Sequence, residues 1–295
     1  MKQAGDQKMG LRPHFDFWQT SRFQLPLHKP LVMGIVNVTP DSFSGGHAIT
    51  ATPAQAIGLA QQLLFEGADI LDIGGESTRP GAQALTAEEE WARVQPVLDE
   101  LMTWNKPVSM DTYHPENMHR ALDMGVDIIN DIWALRMGHS MAVVSAYKCG
   151  VCLMHMHGQP ATMQLAPMQG DVVSSICQFF QDRLSETDHA GMHRNRLVLD
   201  PGVGFGKTTA QNFSLLRHQD SFMRLGLPIL VGWSRKSALG QITGLDASER
   251  LVPSIAAALL AVERGAKILR VHDVKATTEA LKVWMAIENN TEPMK

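Results

Sequence analysis

Residues 31–38 read LVMGIVNV, residues 52–67 TPAQAIGLAQQLLFEG, and residues 68–74 ADILDIG. The outer two are short apolar runs, and the middle stretch carries its apolar residues at helical spacing. Thr52-Pro53 supplies an N-cap and a first-turn proline, and Gly67 closes the helix before the next run. Parallel strands joined by helical crossovers are buried on both faces, so their strands read as continuous apolar runs. This stretch is a strand–helix–strand unit of that kind.

The same rhythm continues outward. Strands are expected at Leu31–Val38, Ala68–Gly74, Pro107–Thr112, Ile128–Ile132, Val151–His157, Leu197–Val203, Pro228–Ser234 and Ile268–Val274. The helices that follow them are Pro53–Glu66, Thr86–Trp104, Pro115–Met124, Gly138–Lys148, Asp171–Ala190, Thr209–Gln219, Ser248–Arg264 and Lys275–Glu288. Eight such units close into a (β/α)₈ TIM barrel, with an open doubly wound sheet as the rival. Residues 1–30 stand outside the rhythm as a short N-terminal extension, and 31–290 form a single barrel domain.

Composition bounds the function. The chain has 295 residues, 44% hydrophobic and 19% charged, a globular balance, with a formal net charge of −4. That charge offers no basic face for nucleic acid. The longest uninterrupted apolar run, Ile255 to Val262, is far short of the ~20 residues of a membrane helix. The first thirty residues show no secretory pattern, and three cysteines build no disulfide framework. A cytoplasmic enzyme is expected.

In a (β/α)₈ barrel the active site lies at the carboxyl ends of the strands. Those ends carry Asn37, Asp111, Asn130, His155 and His157, Asp200, Ser234 with Lys236, and Arg270 with His272. Asn130, Arg270 and His272 are read as lying within apolar strands. Alternation puts Arg270 and His272 on one face, where a buried guanidinium needs an anionic partner. Lys236, Arg270 and His272 therefore form an anion side, suited to a phosphorylated ligand. Asp111, Asn130 and Asp200 suit a flat nitrogen heterocycle, because they accept from N–H groups and the amide also donates. Asn37 offers a neutral oxygen to Mg²⁺, which leans on substrate phosphates.

Eight strings in register resemble the dihydropteroate synthase family: NVTPDSFS from Asn37, GGESTRPGA from Gly74, SMDT around Asp111 and IINDI around Asn130. CLMHM from Cys152, LDPGVGFGK from Leu199, SRKS from Ser234 and RVHDV from Arg270 complete the set. The resemblance implies a barrel, usually dimeric, and a transferase of folate biosynthesis that sulfonamides block. It would join p-aminobenzoate to 6-hydroxymethyl-7,8-dihydropterin pyrophosphate with Mg²⁺ as cofactor. By carry-over Asp111, Asn130, Asp200 and Lys236 hold the pterin, and Asn37, Arg270 and His272 the pyrophosphate and metal. Thr78 and Arg79 belong to the second loop, and Phe205, Ser234 and Lys236 line the p-aminobenzoate pocket. Asp111, Lys236, Arg270 and His272 are the expected catalytic set.

The departures and competing motifs are few. The family's first loop reads SFSDGG, whereas Ser44 here is followed by Gly45-Gly46, so an acidic residue is missing, although Asp41 remains. A non-catalytic or weakly active pterin-binding paralogue is the alternative that this raises. Trp133 and Trp233 stand where the family more often has smaller or polar residues, a change expected to reshape the pocket edge. GFGKTT from Gly204 is no nucleotide-binding loop, because the required earlier glycine is Pro201. Cys149 and Cys152 read as inert packing, and His155 as barrel lining.

Overall fold

The computed structural model describes residues 15–39, 52–77 and 84–288. Two strands, β1 (Phe17–Gln19) and β2 (Gln24–Pro26), form an antiparallel hairpin. The barrel strands follow: β3 (Leu31–Asn37), β4 (Ile70–Gly74), β5 (Val108–Asp111), β6 (Ile128–Asp131), β7 (Gly150–Met154), β8 (Leu197–Asp200), β9 (Ile229–Val231) and β10 (Ala266–Val271). They close in the order β10-β3-β4-β5-β6-β7-β8-β9, every pair parallel. This is the expected (β/α)₈ barrel.

Helices α1 (Pro53–Phe65), α2 (Ala87–Leu101), α3 (Pro115–Asp123), α4 (Ser140–Ser145) and α5 (Val172–His189) alternate with the strands, and so do α6 (Thr209–Arg217), α7 (Asp220–Met223), α8 (Ser237–Thr243), α9 (Leu251–Glu263) and α10 (Val274–Glu288). Thr52, Thr86 and Thr208 each cap a helix through a reciprocal box with Gln55, Glu89 and Gln211, which satisfies amide donors that a helix start leaves unpaired. Between strands and helices lies the main core, including Val36, Ile73, Leu98, Phe180 and Leu199.

Residues 15–30, read from sequence only as an extension, contain the hairpin that closes the barrel's amino-terminal mouth. Trp18 is fully buried against Leu31, Met33, Ile70, Ile128, Cys152, Val198, Leu230 and Ile268, the lowest interior layer of the barrel. Its indole N–H donates to the Arg196 carbonyl at 2.8 Å. Gly150 makes room for the ring, because a Cβ there would stand 3.0 Å from the indole nitrogen. Arg22 adds a two-point pair with Asp127, at 3.0 and 2.7 Å. With this end plugged, the opposite mouth is left for ligands.

Three expectations change. β10 ends at Val271, so His272 stands one residue past the strand; β7 ends at Met154, so His155 and His157 stand on the loop beyond it. Each strand keeps pairing only while its neighbours do: β7 stops where β6 and β8 end, at Asp131 and Asp200, and β10 runs only two residues past its last pairing with the three-residue β9. Trp233 does not line the mouth but is 2% exposed in the main core, stacked on Phe213 of α6 at 5.5 Å.

Candidate active site

The site begins as a row in the sheet. Register pairs Asn37 with Gly74, Gly74 with Asp111, and Asp111 with Asn130, across β3, β4, β5 and β6. The glycine leaves space between its neighbours: a Cβ there would lie 3.5 Å from the Asn37 amide oxygen and 3.6 Å from the Asp111 Cβ. One layer lower, Asp72 pairs with Ser109, and the serine hydroxyl donates to the carboxylate at 2.6 Å.

Arg270 ties these layers to the far side. It enters from β10 and donates through Nε to Asp72 and through an Nη to Asp111, each at 2.6 Å. Burial pulls the guanidinium toward neutrality, but the two carboxylates outweigh it and hold Arg270 firmly charged. Asp111 shares that single cation with Asp72, and burial is the larger influence on it. Its carboxyl is pushed up to about 7, with Arg270 opposing the rise and Asp72 adding to it. Asn130, 4% exposed, donates from Nδ2 to Asp72 at 3.2 Å.

The remaining side chains gather on β8, β9 and β10. Asp200 is 6% exposed, accepts the Gly202 amide at 2.8 Å, and has its carboxyl raised by burial. Lys236 follows β9, and its ammonium lies 4.5 Å from the centre of the Phe205 ring, a cation–π contact. Burial lowers Lys236 to about 8, against the pull of Asp200, with Arg270 lowering it further. Ser234 and His272 meet at 3.0 Å from hydroxyl to Nδ1, and the same hydroxyl accepts the His272 amide at 3.2 Å. Asp111, Asn130, Asp200, Phe205, Ser234, Lys236, Arg270 and His272 thus share one mouth with Asn37. Thr78, Arg79, Gly45 and Asp41 lie outside the described residues.

Further groups support the site. Asp72 and Ser109 sit in the middle of apolar strands, and the signal that exposes Asn130, a polar residue in such a run, was there for both. Lys207 closes the LDPGVGFGK string, with no role of its own expected there. It is 2% exposed, and its ammonium donates to the carbonyls of Gly202, Phe205 and His155 at 2.8, 3.1 and 3.3 Å. That pins the loop which carries Phe205. Burial lowers Lys207 to about 7. Glu76 accepts the Tyr113 hydroxyl at 2.9 Å, and Glu90 accepts Thr112 and Asn117 at 2.6 and 2.7 Å. Both brace the chain just past Asp111. Asp131 holds the turn after β6 through the amides of Trp133 and Leu135, where Ala134 and Leu135 take positive φ.

Neither CxxC cysteine is reactive in character. Cys149 and Cys152 are buried, and burial pushes the Cys149 thiol up to about 11 and raises that of Cys152.

Such a mouth, acidic and amide-lined on one side and cationic on the other, belongs to a known class of barrel. The sequence profile described as "Pterin binding enzyme" matches residues 33–272. The dihydropteroate synthase of Neisseria meningitidis serogroup B is 50% identical over 279 residues, covering 92% of this chain and 98% of that protein. The chain belongs to the pterin-binding enzyme family, among its dihydropteroate synthases. Solved structures agree. Xanthomonas albilineans dihydropteroate synthase with 4-aminobenzoic acid has a TM-score of 0.85 at 45% identity, covering 94% of this chain and 100% of that one. Burkholderia cenocepacia dihydropteroate synthase complexed with 7,8-dihydropteroate has a TM-score of 0.84 at 43% identity, covering 93% and 97%.

Proposed function

We propose that this chain is a transferase that condenses p-aminobenzoate with 6-hydroxymethyl-7,8-dihydropterin pyrophosphate, giving 7,8-dihydropteroate and pyrophosphate. The observation that carries it is the two-sided mouth, in which Asp111, Asn130 and Asp200 face Lys236, Arg270 and His272. The solved relatives with 4-aminobenzoic acid and with 7,8-dihydropteroate support the choice of ligands.

No side chain has to act as a nucleophile. The aryl amine supplies the electron pair, the bond from methylene carbon to diphosphate oxygen breaks, and the amine then loses a proton. The protein's part is to place charge where it develops. Asp111, Asn130, Asp200 and Lys236 would hold the pterin edge, and the buried Asp111 carboxylate would favour positive charge on the heterocycle. Arg270 and His272 would meet the leaving diphosphate, with Ser234 orienting the imidazole. One preorganised group of this kind is worth roughly 3 kcal/mol. Phe205, Ser234 and Lys236 would form the wall for p-aminobenzoate, with Thr78 and Arg79 contributing from the second loop.

The reading includes Mg²⁺. Among the described residues no group of three or more His, Cys, Asp or Glu could hold a metal. That suits an ion that keeps its waters and leans on substrate phosphates. Asn37, at the end of β3 and across Gly74 from Asp111, would give it one neutral oxygen. Bound with the diphosphate, Mg²⁺ would neutralise charge on the leaving group.

Val252 and Leu260 on α9 and Val283 and Ile287 on α10 are exposed, and they favour a homodimer through these two helices. Half of the apolar α9 stretch, Ala257, Ala258, Ala261 and Val262, faces the core instead. No helix among the described residues is long and apolar enough to cross a membrane. Buried free cysteines and a net charge of −4 fit a cytoplasmic enzyme without a nucleic-acid partner.

The test is pyrophosphate release from the pterin pyrophosphate with Mg²⁺, with and without p-aminobenzoate. Release that requires the amine, with dihydropteroate formed, is expected. Tight pterin binding without amine-dependent release would instead mark the non-catalytic paralogue that Gly45 raises.

A further inference from the structure

Asp72 is fully buried in the centre of β4, and the reaction as written gives it no part. A hydrophobic side chain would fill this place at lower cost, since replacing buried ion pairs by apolar residues is often neutral or stabilising. Its oxygens instead collect donors from three other strands. Ser109 Oγ on β5 donates to Oδ1 at 2.6 Å. Asn130 Nδ2 on β6 and Arg270 Nε on β10 both donate to Oδ2, at 3.2 and 2.6 Å.

The two partners on Oδ2 come from opposite sides of the proposed site. We propose that Asp72 is its positioning residue, one carboxylate that orients Asn130 for the heterocycle and Arg270 for the diphosphate together. This rests on the proposed function.

The chemistry of each partner shows what is fixed. An amide can offer a ligand either a donor or an acceptor. With Nδ2 turned to Asp72, Asn130 offers its carbonyl oxygen, which matches an N–H of the heterocycle. A guanidinium is planar and directs its donors along fixed lines. Held through Nε by Asp72 and through an Nη by Asp111, Arg270 keeps one plane relative to β4 and β5. Because both grips run through one carboxylate, pterin and diphosphate are held in a fixed mutual geometry, which places the methylene carbon between them. Asp72 is fully buried and bonded to both side chains, so its effect passes through Asn130 and Arg270.

That gives a thermodynamic signature. Two probes are measured by equilibrium binding to the full chain: 6-hydroxymethyl-7,8-dihydropterin, and inorganic pyrophosphate with Mg²⁺. Asp72→Asn is expected to weaken each by about tenfold or more, the scale of a lost charged hydrogen bond. In an Asn130→Ala background, Asp72→Asn should add no further loss for the pterin. In an Arg270→Ala background it should add none for pyrophosphate, since coupled residues are non-additive.

A merely structural role would keep its effect in both backgrounds, and that result overturns the proposal. So does wild-type affinity of Asp72→Asn for both probes when the parent binds them. Should Asp72→Asn fail to fold, Ser109→Ala releases one anchor of the same carboxylate. It should weaken both probes about threefold and show the same two cycles. No effect, or an effect that persists in both backgrounds, refutes the idea. A wild-type chain that binds neither probe overturns the proposed function, and this role with it.

Discussion

Removing the indole at Trp18 should cost stability while sparing chemistry, and the size of the effect follows from where the ring sits. Trp18 is fully buried, packed beneath the lowest barrel layer, and bonded to the Arg196 carbonyl at 2.8 Å. A buried tryptophan hides about 200 Å² of mostly apolar surface, worth about 5 kcal/mol at 25 cal/mol per Å². Mutational cores give about 3–5 kcal/mol for the same truncation. The lost indole hydrogen bond adds about 1 kcal/mol. Trp18→Ala should therefore destabilise by about 4–6 kcal/mol. For a chain of 295 residues, at about 2.1 cal/mol/K per residue, that lowers Tm by roughly 6–10 °C. Urea unfolding and a thermal scan read the loss, and steady-state turnover, well below the new transition, reads the site. Turnover should stay within about twofold of wild type, because the plug and the ligand mouth lie at opposite ends of the strands. A variant of unchanged stability, or one that loses turnover while fully folded, would refute the division of the barrel into a structural end and a chemical end.

Other perturbations bear on the mouth itself. Burial holds Lys236 near 8, below its ordinary value. Its ammonium is thus lost as pH rises through about 8, and kcat/KM for the pterin substrate should fall on an alkaline limb near there that Lys236→Met lacks. Gly202 has φ +70° and a Cβ there would stand 1.9 Å from the His155 carbonyl oxygen. Gly202→Ala must therefore move the loop carrying Phe205, and KM for p-aminobenzoate should rise about tenfold or more, against little change in pterin affinity; equal KM values would acquit the loop. Chelating Mg²⁺ should abolish turnover and weaken pyrophosphate binding, while leaving the unfolding transition in place, since the proposed ion leans on the substrate diphosphate and does not brace the fold; a fall in Tm on chelation would contradict that.

The barrel was legible because its signal is repeated. Each strand is a short apolar run buried on both faces, and strand starts such as Leu31, Ile128 and Leu197 fall where the sequence puts them. Strand ends were less legible: β10 stops before His272, because pairing with neighbours sets the end and hydrophobicity does not. The hairpin at 17–26 escaped because two three-residue strands are too short for period-two alternation to stand out. Only contact with the barrel floor makes them a plug. In the site, side chains at the strand ends could be read by position. The groups beneath them show in the sequence only as polar residues in or after apolar runs; the role of Asp72 or Lys207 depends on a partner far away in sequence. Arg270 lies 198 residues from Asp72, and Lys207 lies 52 from His155.

The electrostatics of the mouth explain why such partners are needed. Asp72 and Asp111 share Arg270, two carboxylates against one cation, while Asp200 lies within reach of both Lys236 and Lys207. Asp111 and Asp200 are raised and Lys236 is lowered, and in each the largest cause is burial. Such a cluster is costly in the empty protein and weak evidence for stability. Its value lies in a reaction that separates charge. In the proposed condensation, positive charge grows on the pterin-methylene carbon as negative charge leaves with the diphosphate. The surplus carboxylate on the β4–β5 side is complementary to the first, and Arg270 with His272 to the second. Neither charge is fully developed in the bound substrate. An arrangement whose imbalance is relieved most at the transition state lowers the barrier more than it strengthens ground-state binding. It can do so only if its groups are fixed beforehand. The hydrogen bonds from Ser109, Asn130 and Arg270 to one buried carboxylate are how this chain fixes them.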